Sequence, residues 1–154
     1  MGLFGSKPAK AISIQDCTTM MNAFMKKQGL NPEEQRLNDT DTTGWMLNLG
    51  SAVIYIILNH RQNYDTIRII APIIVLPKTN ILPLYRRCLE VNMQLYNCAL
   101  GVSDDQISVV HERVLEGLDQ VELESTVNYI AHVADELDDD LAKEFGATRF
   151  TDTF

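Results

Sequence analysis

The sequence of 154 residues has no apolar run long enough to cross a membrane. Its longest apolar runs, 52–58 and 69–77, are short of the ~20 residues that a membrane-spanning helix requires. The N-terminus also has no apolar stretch of the length found in signal peptides. We therefore expect a cytoplasmic protein that does not bind membranes.

Cysteine is scarce, and the three present are Cys17, Cys88 and Cys98. An odd number with no CxxC spacing excludes both a disulfide framework and a zinc site. Each cysteine lies in or beside an apolar helical pattern. We interpret them as buried free thiols of a protein in a reducing compartment.

Familiar catalytic and nucleotide-binding motifs are missing: the sequence has no P-loop, GxGxxG, HExxH or GxSxG. We expect His60 in a turn, His111 in a strand and His132 in a helix to be surface or hydrogen-bonded residues rather than bases. We therefore predict no catalytic, cofactor-binding or metal-binding residue, no cofactor and no enzyme activity. A triad scattered along the chain would leave no pattern to detect.

One group of side chains is typical of metal sites, namely His132, Asp135, Glu136 and Asp139 on one side of the last predicted helix. A metal site in a helical bundle needs matching ligands from other helices, and the sequence offers none. We favour a solvated acidic face.

Basic residues are rare in the last third of the chain. Residues 101–154 carry three basic and fourteen acidic groups, whereas residues 1–100 carry ten and seven, for a net charge of −8. An acidic chain repels phosphate, so we expect no nucleic-acid partner. Such asymmetry can orient a partner protein, although an acidic helix face in water is the simpler interpretation.

The length and an apolar content of 45% indicate one folded domain. We predict a flexible leader over 1–12, a single α+β domain over 13–146 and a polar, frayed tail over 147–154. Gly2 and Ser6 match a short myristoylation pattern. We favour the loose leader, because this pattern is often met by chance.

Three helices are predicted from apolar spacing and end signals. The first covers 14–28, with a Ser13–Asp16 capping box before it and Gly29 after it. The second follows Asn80 as a cap and runs to Leu95. The third runs from a cap at Asp119 to Phe145. A polar connector of unknown role covers 31–44.

Strands are predicted where β-branched and apolar residues cluster, at 45–49, 52–59, 66–76, 98–102 and 107–115. Gly50-Ser51 indicates a two-residue hairpin turn. Pro72 lacks an N–H and is expected at a bulge or on an edge. The order helix-strand-strand-strand-helix-strand-strand-helix, with short links, predicts a mostly antiparallel sheet in an α+β fold.

The second and third strands are apolar on both faces. In the second strand one face carries Val53, Tyr55 and Ile57, and the other carries residues 52, 54, 56 and 58. In the third strand one face carries residues 67, 69, 71 and 73, and the other carries Ile70, Pro72 and Ile74. Either the three helices cover both faces, or a second subunit or bound peptide covers one. The candidate partner surface comprises Trp45, Ile54, Ile56, Leu58, Ile70, Ile74 and Tyr85. For Trp45 alone, we favour a core position over an aromatic anchor.

Several segments in order resemble the YbjN-like family, whose members are often described as sensory-transduction regulators. They are Gly50-Ser51-Ala52, Ala71-Pro72-Ile73, Leu76-Pro77, Leu84-Tyr85-Arg86, Leu89-Glu90-Val91-Asn92, Glu116-Gly117-Leu118-Asp119 and Ala134-Asp135-Glu136-Leu137-Asp138-Asp139. The resemblance covers about 45–146. The Leu-Pro and Leu-Tyr-Arg segments are similar to those of small cyanobacterial members.

This resemblance implies a type III secretion chaperone-like fold of the CesT kind. Such chaperones are small acidic cytoplasmic proteins, usually homodimers, that hold unfolded segments of a client and have no catalytic residues. The first expectation is thus a module that binds a protein or peptide client, and a second copy of itself. The alternatives are a small signalling or stress regulator with one defined partner and, third, an enzyme with an unrecognised site.

Overall fold

The computed structural model describes residues 11–38 and 42–154, which form three α-helices and an antiparallel sheet. The elements are α1 Ile14–Lys27, β1 Thr43–Leu49, β2 Ala52–His60, β3 Asp65–Val75, α2 Ile81–Asn92, β4 Ala99–Ser103, β5 Gln106–Val114, α3 Gln120–Phe145 and β6 Thr148–Arg149, followed by a 3₁₀ turn, Phe150–Thr153. The predicted α+β class and element order are confirmed up to α3. The described helices are too short or too polar to cross a membrane.

The ends of α1 follow from local chemistry. The Ser13 hydroxyl accepts a hydrogen bond from the Asp16 N–H at 3.1 Å, and the Asp16 carboxylate accepts the Ser13 N–H at 2.9 Å. Gly29 then takes a left-handed φ of +77°, and the Leu30 N–H donates to the Met25 carbonyl at 2.9 Å. Both predicted end signals of this helix are confirmed.

The other two helices begin differently from each other. Asp119 caps α3 by accepting the Glu122 N–H at 2.8 Å, as predicted, and left-handed Gly146 follows its last residue. Asn80 precedes α2 but makes no capping hydrogen bond, so that prediction is wrong. The backbone of Asn80 is left-handed, with φ +61°, rather than in the extended conformation from which a cap side chain reaches the first-turn amides.

The sheet has the order β1-β2-β3-β5-β4, and every neighbouring pair is antiparallel. β2 pairs with β3 only from Tyr55 opposite Ile70 to His60 opposite Asp65. Beyond Ile70 the same edge of β3 is taken by β6, which pairs with Ile74 and Val75. The first residues of β2 therefore diverge from β3, and the C-terminal segment fills the opening.

This pairing corrects the prediction of a frayed tail at 147–154. Thr148 and Arg149 are hydrogen-bonded to β3, and the side chain of Phe150 is only 8% exposed. Strand pairing uses backbone groups, so the polar composition of the segment did not reveal it. Residues 1–10 of the predicted leader lie outside the described residues, whereas Ile12 packs against the core.

A bulge in β3 changes which way its side chains face. The register of β3 against β5 shifts between Pro72 and Ile74, which confirms the bulge expected at Pro72. Ile74 pairs with Ile107, and both side chains are fully buried on the face of the sheet that packs against the helices. Simple alternation had placed Ile74 beside Ile70 and Pro72 on the other face.

All three helices pack on one face of the sheet, and their buried residues form one core with the even-numbered side chains of β2. Trp45 is fully buried in this core, the position favoured for it. A Lys27–Glu124 pair at 2.6 Å joins α1 to α3, and an Arg87–Glu144 pair at 3.3 Å joins α2 to α3. In the described part of the chain no helix covers the opposite face.

The start of the connector follows the outer edge of β1. The Leu37 N–H donates to the Gly44 carbonyl at 3.0 Å, and the Met46 N–H donates to the Gln35 carbonyl at 2.8 Å. The Arg36 guanidinium lies 5.6 Å from the centre of the Trp45 ring. Residues 35–37 therefore satisfy an edge that would otherwise be open to another strand.

Candidate functional site

The sheet face opposite the helices, here called the open face, carries a continuous row of apolar side chains. Register places Met46, Tyr55, Ile70 and Val110 side by side across four strands. Met46 is 40% exposed, the other three are half-buried, and none belongs to the helix-side core. An apolar row left partly in water is typical of a surface that binds another molecule.

Three of the four residues of this row line a cavity of about 390 Å³ on the open face. Its floor consists of Tyr55, Ile70, Pro72 and Val110, and Phe150 from the C-terminal segment forms part of its wall. The turn between β4 and β5, with Ser108 of β5, completes the lining. This volume is at the lower end of the range for ligand pockets, and the lining combines an apolar floor with the polar side chains of Arg68, Gln106 and Ser108.

The cavity lining carries two charged residues of opposite sign, Arg68 and Asp104. The Arg68 guanidinium lies 3.7 Å from the Glu112 carboxylate, with both side chains partly exposed. Glu112 also accepts the Thr66 hydroxyl at 3.3 Å. A long, exposed ion pair contributes little stability. Arg68 can therefore turn to a carbonyl or carboxylate of a bound peptide at small cost.

The structure does not bring the seven predicted surface residues together on one surface. Five of them, Trp45, Ile54, Ile56, Leu58 and Ile74, are buried beneath the helices. Ile70 lies on the open face, and Tyr85 is half-buried on α2. Since the side chains on both faces of β2 are apolar, the sequence could not show which face the helices cover.

Among the cavity residues that sequence reasoning missed are Tyr55, Pro72, Val110 and Phe150. Tyr55 belongs to the face of β2 that was set against the chosen one, and a tyrosine among isoleucines was an available signal. Pro72 lies on the same predicted face of β3 as the chosen Ile70, but it was considered only as a bulge or edge residue. Val110 was assigned to a strand without a face. Phe150 was assigned to the tail, and only pairing between distant segments brings it here.

The histidines and acidic residues are distributed among separate contacts. Nδ1 of His111 lies 2.6 Å from the Asn97 carbonyl in the interior, and Nδ1 of His60 lies 2.6 Å from the Asp65 carboxylate. Of the metal-like group on α3, Asp139 pairs with Arg149 at 2.7 Å, and Asp135 accepts the Ser51 hydroxyl. Among the described residues no three such side chains are placed to hold a metal ion.

A second apolar surface lies on α2. Leu82, Leu89 and Met93 are 79%, 67% and 86% exposed, and their spacing of seven and four puts them on one side of the helix. We call these three residues the α2 stripe. The core residues Leu84, Cys88 and Val91 occupy the other side, so α2 is apolar on two sides but buried on only one.

Residues 27–153 match a family described as "T3SS (YopN, CesT) and YbjN peptide-binding chaperone 1". The chain belongs to this family. The match confirms the YbjN-like resemblance. The likeness to small cyanobacterial members stays a prediction. No curated protein matches.

Two solved structures have the same fold as this family member. The structure titled "Crystal Structure of the ExsC-ExsE Complex" has a TM-score of 0.65 at 12% identity, covering 85% of this chain and 97% of that chain. That of "YbjN, a putative transcription regulator from E. coli" has a TM-score of 0.50 at 11% identity, covering 84% and 93%. The secretion-chaperone-like fold is thereby confirmed.

Proposed function

We propose that this protein is a non-enzymatic module that binds a segment of a partner protein on the open face of its sheet. The observation that carries the proposal is the apolar row of Met46, Tyr55, Ile70 and Val110. Three of these residues line a cavity, and no α-helix of the described chain lies above the row. Membership in a peptide-binding chaperone family supports the same class of partner.

An extended apolar segment suits this face for energetic and geometric reasons. Burial contributes ~25 cal/mol per Å² of apolar surface, so covering four half-exposed side chains stabilises a complex by a few kcal/mol. In an extended segment every second side chain points to the same side, which matches a row and a cavity on one face. The acidic α3 packs on the opposite face, where its charge helps to keep a loaded complex in solution.

The free thiols support a reducing compartment, and we place the protein in the cytoplasm. Cys17 and Cys88 are buried, Cys98 is half-buried, and none is in a disulfide. Burial raises the pKa of the Cys17 thiol to about 12, which keeps it protonated and unreactive at neutral pH.

We also propose that the protein forms a homodimer through the α2 stripe. In an antiparallel pair of α2 helices crossing near residue 88, Arg86 of one copy faces Glu90 of the other. The same arrangement sets Leu82 against the far end of the stripe around Met93. A self-complementary surface of this kind is what a two-fold interface requires. Within one chain Arg86 and Glu90 already pair at 2.9 Å, on the exposed side of the helix.

Selection of displayed random peptides tests the client surface. Peptides enriched on the wild-type protein should lose about tenfold or more in affinity for Ile70→Glu, because a charge would then occupy the centre of the apolar row. The matched control is Val121→Glu, which introduces the same charge at an exposed valine of α3. Peptides selected on the wild type should bind this control unchanged.

The selected sequences also distinguish holding from regulation. Many unrelated apolar sequences would favour a holding chaperone, and one consensus would favour a regulator that acts through one defined partner. Equal binding to the wild type and to Ile70→Glu, with both variants folded, would contradict the proposed surface.

A further inference from the structure

The C-terminal segment is already bound to the open face like a short peptide. β6 pairs with Ile74 and Val75 along the part of the β3 edge that β2 leaves free. The next residue, Phe150, is buried and lines the cavity. Phe150 is absent from the helix-side core, so its ring packs on the open face.

The contacts that hold this segment are few. Arg149 pairs with Asp139 of α3 at 2.7 Å and with Asp152 at 3.0 Å, and all three side chains are partly exposed. The Phe154 ring meets the Phe150 ring edge-on at 5.1 Å between centres, and Phe154 is itself exposed. A two-residue strand, one buried aromatic ring and exposed ion pairs are a weak attachment that can open locally.

We propose that residues 148–154 are an internal ligand of the open face and that a client binds by displacing them. The client would pair an extended stretch with Ile74 and Val75 and place an aromatic side chain where Phe150 now lies. The inference rests on the proposed function and adds to it the kind of segment that is recognised. It explains why the edge of β3 beside the cavity is closed in the free protein by only two residues.

A labelled peptide copying residues 147–154, ATRFTDTF, is the probe, and full-length variants are its receptors. Fluorescence anisotropy should show that the probe binds Phe150→Ala about tenfold more tightly than it binds the wild type. This is the difference expected if residues 148–154 leave the wild-type site open about a tenth of the time, because the apparent affinity falls with the open fraction. Val121→Ala is the control, because it shortens an exposed side chain of α3 outside the segment, and its affinity for the probe should equal that of the wild type. A probe with alanine in place of its first phenylalanine should not bind.

Arg149→Ala provides a second variant that leaves the cavity lining intact and loosens the segment. Its affinity for the probe should also rise, by less than for Phe150→Ala. Equal affinity of the wild type and both variants, or binding that does not need the first phenylalanine of the probe, would overturn the inference. If selected peptides still depend on Ile70 in that case, the open face remains the client surface and only the internal ligand is rejected.

Discussion

The side chain of Asn92 hydrogen-bonds both backbone groups of Leu100. Its Nδ2 donates to the Leu100 carbonyl at 3.2 Å, and its Oδ1 accepts the Leu100 N–H at 2.6 Å. Leu100 lies in β4, the outermost strand on this side of the sheet. The amide of the last residue of α2 therefore takes the place of a neighbouring strand and blocks one position where another chain could pair.

Asn92→Ala should lower the free energy of unfolding by about 1–3 kcal/mol, because two partly buried backbone groups lose their partners. Urea denaturation measures this change. The variant should also associate more strongly at high concentration, which light scattering detects. Asn128→Ala, at an exposed position of α3, is the control and should leave both properties unchanged. Wild-type behaviour of Asn92→Ala would show that β4 needs no such protection.

Gly44→Ala should destabilise the β1–β2 pair. A Cβ at this position would lie 2.7 Å from the Ile56 carbonyl oxygen and 2.9 Å from Leu37 Cδ1, so backbone must move. Overpacking of this kind costs about 1–3 kcal/mol, which thermal unfolding would show as a lower Tm. In Gly101→Ala the new Cβ would meet only Val110 Cγ2, at 3.8 Å. A Tm equal to that of this control would show that the edge of β1 is more open than described.

Asp138 should make stability depend on pH. Burial raises the pKa of this carboxyl, the charges of Asp139 and Asp135 raise it further, and Arg149 opposes them. A carboxyl whose pKa is higher in the folded protein stabilises it fully below the pKa of the unfolded chain, about 3.9. That contribution is lost as the pH rises through the pKa of the folded protein. Asp138→Asn should therefore have a higher Tm than the wild type at pH 7, and the difference should vanish in acid.

Thermal unfolding between pH 3 and pH 8 checks this prediction. Asp140→Asn, on the exposed side of α3, is the control for losing one negative charge from an acidic helix. An equal gain from both substitutions would assign the effect to net charge instead of to the burial of Asp138.

The oligomeric state tests the α2 stripe. Light scattering after size exclusion should give about 35 kDa, twice the chain mass of 17.4 kDa. Leu89→Glu should give a monomer, because it places a charge at the centre of the apolar contact. Val121→Glu should remain dimeric. A monomeric wild type, or a dimer that tolerates Leu89→Glu, would contradict this interface.

Local chemistry made much of the fold predictable. The capping box of Ser13, the left-handed Gly29 and the bulge at Pro72 each depend on neighbours in the sequence, and each was predicted. Two of the failures depend on distant segments. The pairing of β6 with β3 has no local signal, and the consequence of the bulge for Ile74 appears only against β5.

The candidate site was harder to predict than the fold. Two apolar alternations in β2 indicated that both faces of the sheet needed cover, and the open face supports that argument. Which face of β2 lies against the helices depends on how α1, α2 and α3 pack. The predicted set of Ile54, Ile56 and Leu58 lies on the face that the helices cover. Phe150 enters the cavity only because β6 fills the gap between β2 and β3.

Site-specific photocrosslinking in the native host tests the central claim most directly. A p-benzoylphenylalanine at the position of Tyr55 should crosslink to a partner protein, and the adduct should disappear when Ile70→Glu is added. The same group at the position of Val121 should give no such adduct. An adduct that persists with Ile70→Glu, or none from Tyr55 in a folded and expressed protein, would contradict the claim that clients bind the open face.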